Sequence, residues 1–216
     1  MITSIIIFDA FGTLFNLDTE LLENIDHPNK NDILQYAREK QLSYTWLFSL
    51  MSKYESFSEI TYRALTDGLK KYKAPISLLD DFAHLYMQPV VYDDVNQCLI
   101  GLKKAGKQTG ILSNGTKEML DSGIELNELS ENLDHVFFVE EVKVFKPHAS
   151  VYGMVTNMLN LDPVDITFVS SNQWDVAGAH HFGFNTIWVN RSNEFQESIS
   201  EDAKIQIISS LDELIG

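Results

Sequence analysis

The feature that most limits what this chain can fold into is a short run near its start, Ile5-Ile6-Ile7-Phe8, cut off by Asp9. Consecutive large apolar residues, mostly β-branched, suit a strand covered on both faces, because a strand with one wet face alternates with polar side chains. Residues 2–8 therefore read as a buried parallel strand. Comparable runs recur near residues 108–112, 135–139, 166–170, 186–190 and 205–208, separated by stretches of helical length and period. That alternation predicts an α/β fold with a doubly wound, parallel, Rossmann-like sheet, and such a sheet binds its ligands at the carboxyl ends of its strands.

A plain crossover between parallel strands takes about thirty residues, yet roughly a hundred separate the first strand from the second. With 216 residues in all, this points to one α/β domain, residues 1–16 and 92–216, interrupted by a helical insertion over residues 17–91. Within the insertion, Leu42, Trp46, Leu47, Leu50, Met51 and Tyr54 recur at helical spacing and are expected to form a buried face, with Trp46 in the core. Turns are expected at His27-Pro28-Asn29, at Lys73-Ala74-Pro75 and at Gln88-Pro89. The chain carries no internal repeat.

Thirty-one acidic residues against sixteen basic ones leave a formal charge of −15, which repels nucleic acid and anionic membrane surfaces and removes both as expected partners. No run approaches the ~18 apolar residues of a membrane span, and no basic region precedes the first apolar run, so neither a span nor an export signal is expected. The single cysteine, Cys98, suits a reducing compartment and a cytoplasmic location. In that setting the Asn-x-Ser/Thr patterns at Asn114 and Asn190 are irrelevant to glycosylation.

Polar segments follow the expected strands where a site belongs. Asp9-Ala10-Phe11-Gly12-Thr13 puts a carboxylate directly after the first strand, where its desolvation demands a partner or a task. Ser113-Asn114-Gly115-Thr116 combines side-chain donors with a helix start that favours an anion. Phe145-Lys146-Pro147 supplies a cation, and Ser170-Ser171-Asn172-Gln173-Trp174-Asp175 a polar turn with a second carboxylate. Each segment alone has an ordinary explanation: a turn cap, a helix N-cap, a surface lysine, an acid in a first helical turn.

In this order the four segments resemble the haloacid dehalogenase superfamily, whose fold has a cap domain inserted after the first strand. Phosphatases of that superfamily carry a second Asp two residues after the nucleophilic one, as general acid to the leaving alcohol. Here that position is Phe11, which cannot donate a proton, and a departing halide needs none. The chain is thus most similar to the L-2-haloacid dehalogenases, which commonly have tyrosine there. Arg38-Glu39-Lys40-Gln41-Leu42-Ser43-Tyr44-Thr45-Trp46-Leu47 resembles that family's cap helix, and Gly178 to Phe184 its closing segment.

The resemblance implies that Asp9 attacks C2 of a 2-haloalkanoate, forming an aspartyl ester and expelling halide with inversion, from L-2-haloacid to D-2-hydroxy acid. Lys146 supports the ionised nucleophile, and Thr13 bonds within its loop. Ser113 and backbone amides near Phe11 and Gly12 hold the substrate carboxylate, while Arg38, Asn114 and Trp174 cradle the halide. Asp175, held by Ser170, Asn172 and Lys146, orients or deprotonates the hydrolytic water, and Tyr152 joins the substrate-binding set. Phe11, Gln41, Leu42, Phe57 and Trp174 wall the alkyl group. The resemblance implies no metal or other cofactor, a small 2-haloacid and halide as the only ligands, and a homodimer. A magnesium-dependent phosphatase acting on a small phosphate ester, and a binding protein without turnover, remain the alternatives. His180 and His181, on adjacent helical positions, are expected to be packing or surface residues rather than metal ligands. Cys98 is expected to be an apolar filler.

Overall fold

The computed structural model describes residues 2–17, 20–201 and 205–215. Its strands are β1 (Ile5–Phe8), β2 (Phe15–Asn16), β3 (Val90–Val91), β4 (Gln108–Ser113), β5 (His135–Phe138), β6 (Ile166–Ser170), β7 (Asn185–Val189) and β8 (Gln206–Ile208). Its α-helices are α1 (Glu20–Glu23), α2 (Lys30–Leu50), α3 (Phe57–Lys71), α4 (Leu79–Met87), α5 (Val95–Lys104), α6 (Lys117–Leu126), α7 (Ala149–Leu159), α8 (Gln173–Phe182) and α9 (Ser198–Glu201).

Six strands form one parallel sheet in the order β5-β4-β1-β6-β7-β8. The order reverses at β1, so the crevice where such a sheet binds its ligand lies at the ends of β1 and β6. The apolar run of β1 accounts for its central place: Ile5 and Ile7 join the core on one face, while Ile6 and Phe8 join the core on the other. The doubly wound parallel sheet expected from the pattern is thus the fold observed. The first strand begins at Ile5 rather than residue 2, the Thr3 N–H donating to the Thr167 hydroxyl (3.1 Å) rather than to a strand carbonyl.

Between β2 and β3, which pair as a short antiparallel ribbon, the chain is helical, with α2 and α3 packed side by side. The ribbon had no pattern to announce it, being two residues long on each side. The face that α2 buries is not the one its periodicity suggested. Ile33, Leu34, Ala37, Gln41, Thr45 and Phe48 are covered, whereas Trp46, Leu47, Leu50 and Met51 are exposed, Leu50 at 81%. Two apolar stripes share this helix, and the inward one is chosen by the approach of α3, with the Gln41 amide donating to the Thr61 hydroxyl at 2.5 Å. Trp46 is therefore not a core residue: it meets Trp174 edge-on at 5.6 Å. Tyr54 lies beyond the helix, stacked on Phe145.

Cys98 is buried, and burial pushes its thiol up to about 12, as suits an inert filler. His181 is exposed and His180 half-buried. Among the described residues no group of three or more His, Cys, Asp or Glu is placed to hold a metal ion, and no helix is long and apolar enough to cross a membrane.

Candidate active site

Asp9 stands one residue past β1, where the ladder continues as its N–H donates to the Val169 carbonyl (2.9 Å) and the side chain turns into the crevice. Its carboxylate is almost wholly removed from water, at 6% exposure, so each oxygen needs donors. Oδ2 accepts from Asn172 Nδ2 (2.9 Å), Thr13 Oγ1 (3.0 Å) and, at the long limit, Ser170 Oγ (3.4 Å). Among the described residues Oδ1 accepts from Lys146 Nζ alone (2.8 Å). One oxygen is thus saturated, while the other keeps a lone pair beside a cation.

Lys146 is 1% exposed and spends its three protons on Asp9 Oδ1, Asp175 Oδ2 (2.6 Å) and the Leu112 carbonyl (3.0 Å). Burial alone would pull this ammonium down, but the carboxylates of Asp175 and Asp9 outweigh it and hold Lys146 above its ordinary value. Asp175 is 0% exposed. Its Oδ1 accepts from the Tyr152 hydroxyl at 2.7 Å, and burial, with Asp9 adding like charge, raises it to about 6 against the opposing pull of Lys146. The Tyr152 phenol, itself buried against Asp175, is pushed well above its ordinary value and stays protonated as a donor.

Above this network lies a cavity of about 60 Å³, lined by Asp9, Phe11, Ser113, Asn114, Lys146, Asn172 and Trp174 from the sheet side and by Leu17, Arg38, Gln41, Leu42 and Phe57 from the helical side. It is far smaller than the ~300–1,000 Å³ pockets that take drug-sized ligands. Phe11 stacks on Phe57 (6.2 Å between centroids), closing one end with aromatic surface. Asn114 accepts the Lys146 N–H on its Oδ1 (3.0 Å), which leaves its Nδ2 protons for the cavity. The Ser113 hydroxyl accepts from the Gly115 N–H (3.0 Å) and keeps its own proton to give. Arg38 is exposed and makes no hydrogen bond or ion pair among the described residues. A small anion with an apolar body therefore fits the cavity: donors and a cation meet its charge, and aromatic and aliphatic groups meet the rest.

The sequence-derived set meets here, though not every member lines the cavity. Gly12 does not offer its amide to the cavity, because that N–H is bound to the Phe15 carbonyl at 2.7 Å, and its φ of +89° serves the turn around it. Tyr152 does not touch the cavity either: it lies fully buried behind Asp175, which it orients. Asp175 and Ser170 likewise sit under the cavity rather than on its wall. Leu17 was missed. It is the first residue of the insertion, on no periodic face, and no sequence signal marks such a junction residue.

A family model for haloacid dehalogenase-like hydrolases matches residues 3–183. The chain is 36% identical over 212 residues to (S)-2-haloacid dehalogenase 1 of Pseudomonas sp. (strain CBS-3), covering 96% of this chain and 93% of that protein. It is 37% identical over 202 residues to the (S)-2-haloacid dehalogenase of Xanthobacter autotrophicus, covering 91% and 78%. Among solved structures it is similar to the X. autotrophicus L-2-haloacid dehalogenase with chloropropionic acid covalently bound, at TM-score 0.88 and 32% identity over 100% of this chain and 97% of that one. With the parallel sheet, the buried Asp9–Lys146–Asp175 network and these likenesses together, the chain belongs to the haloacid dehalogenase-like hydrolases and, within them, to the (S)-2-haloacid dehalogenase family.

Proposed function

We propose that this protein hydrolyses short L-2-haloalkanoates to D-2-hydroxy acids and halide. The observation that carries this reading is the Asp9 carboxylate, one oxygen still open, on the wall of a small cavity that holds the Arg38 guanidinium and, at the acid's usual place, Phe11. Residues 17–91 act in this reading as a cap that brings Arg38, Gln41, Leu42 and Phe57 to the substrate.

In the first step Asp9 Oδ1 attacks C2, the C2–halogen bond breaks, and the halogen leaves with the bond pair as halide toward Arg38, the Asn114 Nδ2 and the Trp174 edge. Attack opposite the departing group inverts C2. Oδ2 becomes the ester carbonyl and keeps its donors Asn172 and Thr13, which then face the oxyanion of the second step. Water adds to Asp9 Cγ and the bond from Cγ to the substrate oxygen breaks. One proton of the water passes to the departing hydroxy acid and the other is lost as the Asp9 carboxylate is restored, while Asp175, beneath the cavity, acts through Lys146. Asp175 also holds Lys146 against Asp9, and Tyr152 holds Asp175. Ser113 holds the substrate carboxylate. A homodimer is supported by the exposed apolar stripe Trp46, Leu47, Leu50 and Met51, and a cytoplasmic place by the one unpaired cysteine.

The test measures chloride released from each enantiomer of 2-chloropropionate with and without EDTA, and phosphate released from p-nitrophenyl phosphate with magnesium, for wild type and Asp9→Asn. Release from the L enantiomer alone, indifferent to EDTA and lost in Asp9→Asn, is expected. Phosphate release alone, and only with magnesium, would make Asp9 a phosphoryl acceptor and overturn the reading.

A further inference from the structure

The turn after β6 carries Ser170, Asn172, Trp174 and Asp175, and the first residue of α8, Gln173, takes no part in either step of the reaction. Asn172 gives its amide to Asp9 Oδ2 at 2.9 Å, and Trp174 lines the catalytic pocket. Gln173 stands between them at 8% exposure, its side chain directed at residues 195–200. The arrangement deprives α8 of an ordinary start. Asn172 is the N-cap residue, yet no side-chain bond caps the helix, and its side chain is directed at Asp9 instead. An uncapped start leaves its first N–H groups without partners and its first turn free to fray.

Gln173 fastens this start from outside. Its Nε2 donates to the Phe195 carbonyl (2.8 Å), and its Oε1 accepts from the Glu197 N–H (2.6 Å) and the Ser200 hydroxyl (3.0 Å). The segment it grips is closed on itself: the Ser200 N–H and hydroxyl both meet the Glu197 carbonyl at 2.9 Å, and Ser200 is buried. The flanking residues are held by other groups. The Ser171 N–H donates to Thr13 Oγ1 (2.9 Å), and the Ser171 carbonyl accepts from Trp188 Nε1 on β7 (3.0 Å). Asp175 is tied to Lys146 and Tyr152, and Gln173 ties the stretch between. That stretch has open space beside it, since a cleft of about 430 Å³ next to the catalytic pocket shares Asn172 and Arg38 with it. A turn with a void on one side lacks packing there to hold it.

We propose that Gln173 is a positioning residue for the dehalogenation: by gripping residues 195–200 it holds Asn172 on the nucleophile and Trp174 where the halide departs. The inference rests on the dehalogenase reading and gives Gln173 no contact with substrate. Chloride is a poorer leaving group than bromide and draws more on the groups that meet its growing charge. A loosened Trp174 therefore penalises chloride more.

The test compares L-2-bromopropionate with L-2-chloropropionate in wild type, Gln173→Met, Ser200→Ala and the double variant. Methionine keeps the length of the side chain and removes its hydrogen bonds. Initial rates of halide release give kcat/KM for each substrate, and the bromo-to-chloro ratio cancels the fraction of folded enzyme, which is what a loss of stability alone would change. That ratio should rise roughly three- to tenfold in Gln173→Met, as a small displacement at the reacting centre implies, and about twofold in Ser200→Ala. The double variant should match Gln173→Met, because Ser200 acts through the amide that is then missing. A ratio unchanged in Gln173→Met overturns the proposal whatever happens to stability, and so does a Ser200→Ala effect that persists in full on the Gln173→Met background. Should Gln173→Met fail to fold, an unchanged ratio in Ser200→Ala overturns it. A wild type that releases no halide would overturn the function and this inference together, whereas halide release with an unshifted ratio would overturn this inference alone.

Discussion

Asp175 and Lys146 show how a buried charge pair can carry both stability and chemistry. Removing Lys146 would leave Asp9 and Asp175 without their common counter-charge, which explains why the lysine is tolerated at 1% exposure. Burial raises Asp175 to about 6, so it is protonated below that pH and ionised above it. Ester hydrolysis needs the ionised form, which fixes Lys146 beside Asp9. Turnover should therefore climb as pH rises through about 6 and level off beyond. A pH profile of kcat for L-2-chloropropionate checks this, and Asp175→Asn should flatten the rising limb while slowing kcat by about 10²–10⁴-fold. A wild-type profile flat between pH 5 and 7 would remove Asp175 from the rate-limiting chemistry.

At the scale of elements, the site depends on how helices start and how closely they pack. α3 opens with a capping box: the Ser56 hydroxyl accepts the Glu59 N–H (3.2 Å), and the Glu59 carboxylate accepts the Ser56 N–H (2.8 Å). The next residue, Phe57, begins the helix and stacks on Phe11 in the cavity wall. Ser56→Ala should lower stability to urea by about 1 kcal/mol. Because Phe57 loses its fixed entry, KM should rise a few-fold with kcat nearly unchanged, and unaltered KM would separate the cap from the site. Close packing matters at Gly178 in α8, where a Cβ would stand 2.6 Å from Pro147 Cβ and 2.7 Å from the Tyr152 hydroxyl oxygen. Its lack of a side chain lets α8 bring Asp175 onto Tyr152, so this glycine within the segment that resembles the family has a packing reason.

For the whole molecule the main tension is electrostatic, since a chain of charge −15 takes up an anion. The repulsion comes from many dispersed surface carboxylates, whereas Arg38 and Lys146 act at contact, so salt should weaken the first far more than the second. Raising ionic strength from ~10 to ~150 mM with sodium gluconate shortens the Debye length from ~30 to ~8 Å. kcat/KM for L-2-chloropropionate should increase about two- to threefold over that range, a measurement made with initial rates. A decrease would mean that long-range attraction toward the arginines outweighs the net charge.

Much of this protein was legible in the order of its residues because the determining interactions are local or periodic. A doubly apolar run marks a central parallel strand, and polar residues directly after such runs fall at one edge of the sheet by construction. Asp9, Ser113, Asn114, Lys146 and Asp175 could be named in this way, and Phe11 set apart the chemistry they support. Tertiary structure decided what no period or spacing encodes. The approach of α3 selected the buried stripe of α2 and left Trp46, Leu47, Leu50 and Met51 outside. The turn around Gly12 used an amide expected for substrate. Tyr152 was drawn behind Asp175, Leu17 was brought to the cavity, and Arg38 was set between two cavities. Each of these depends on which surfaces meet once the helices close over the sheet, and that contact is long-range in the chain.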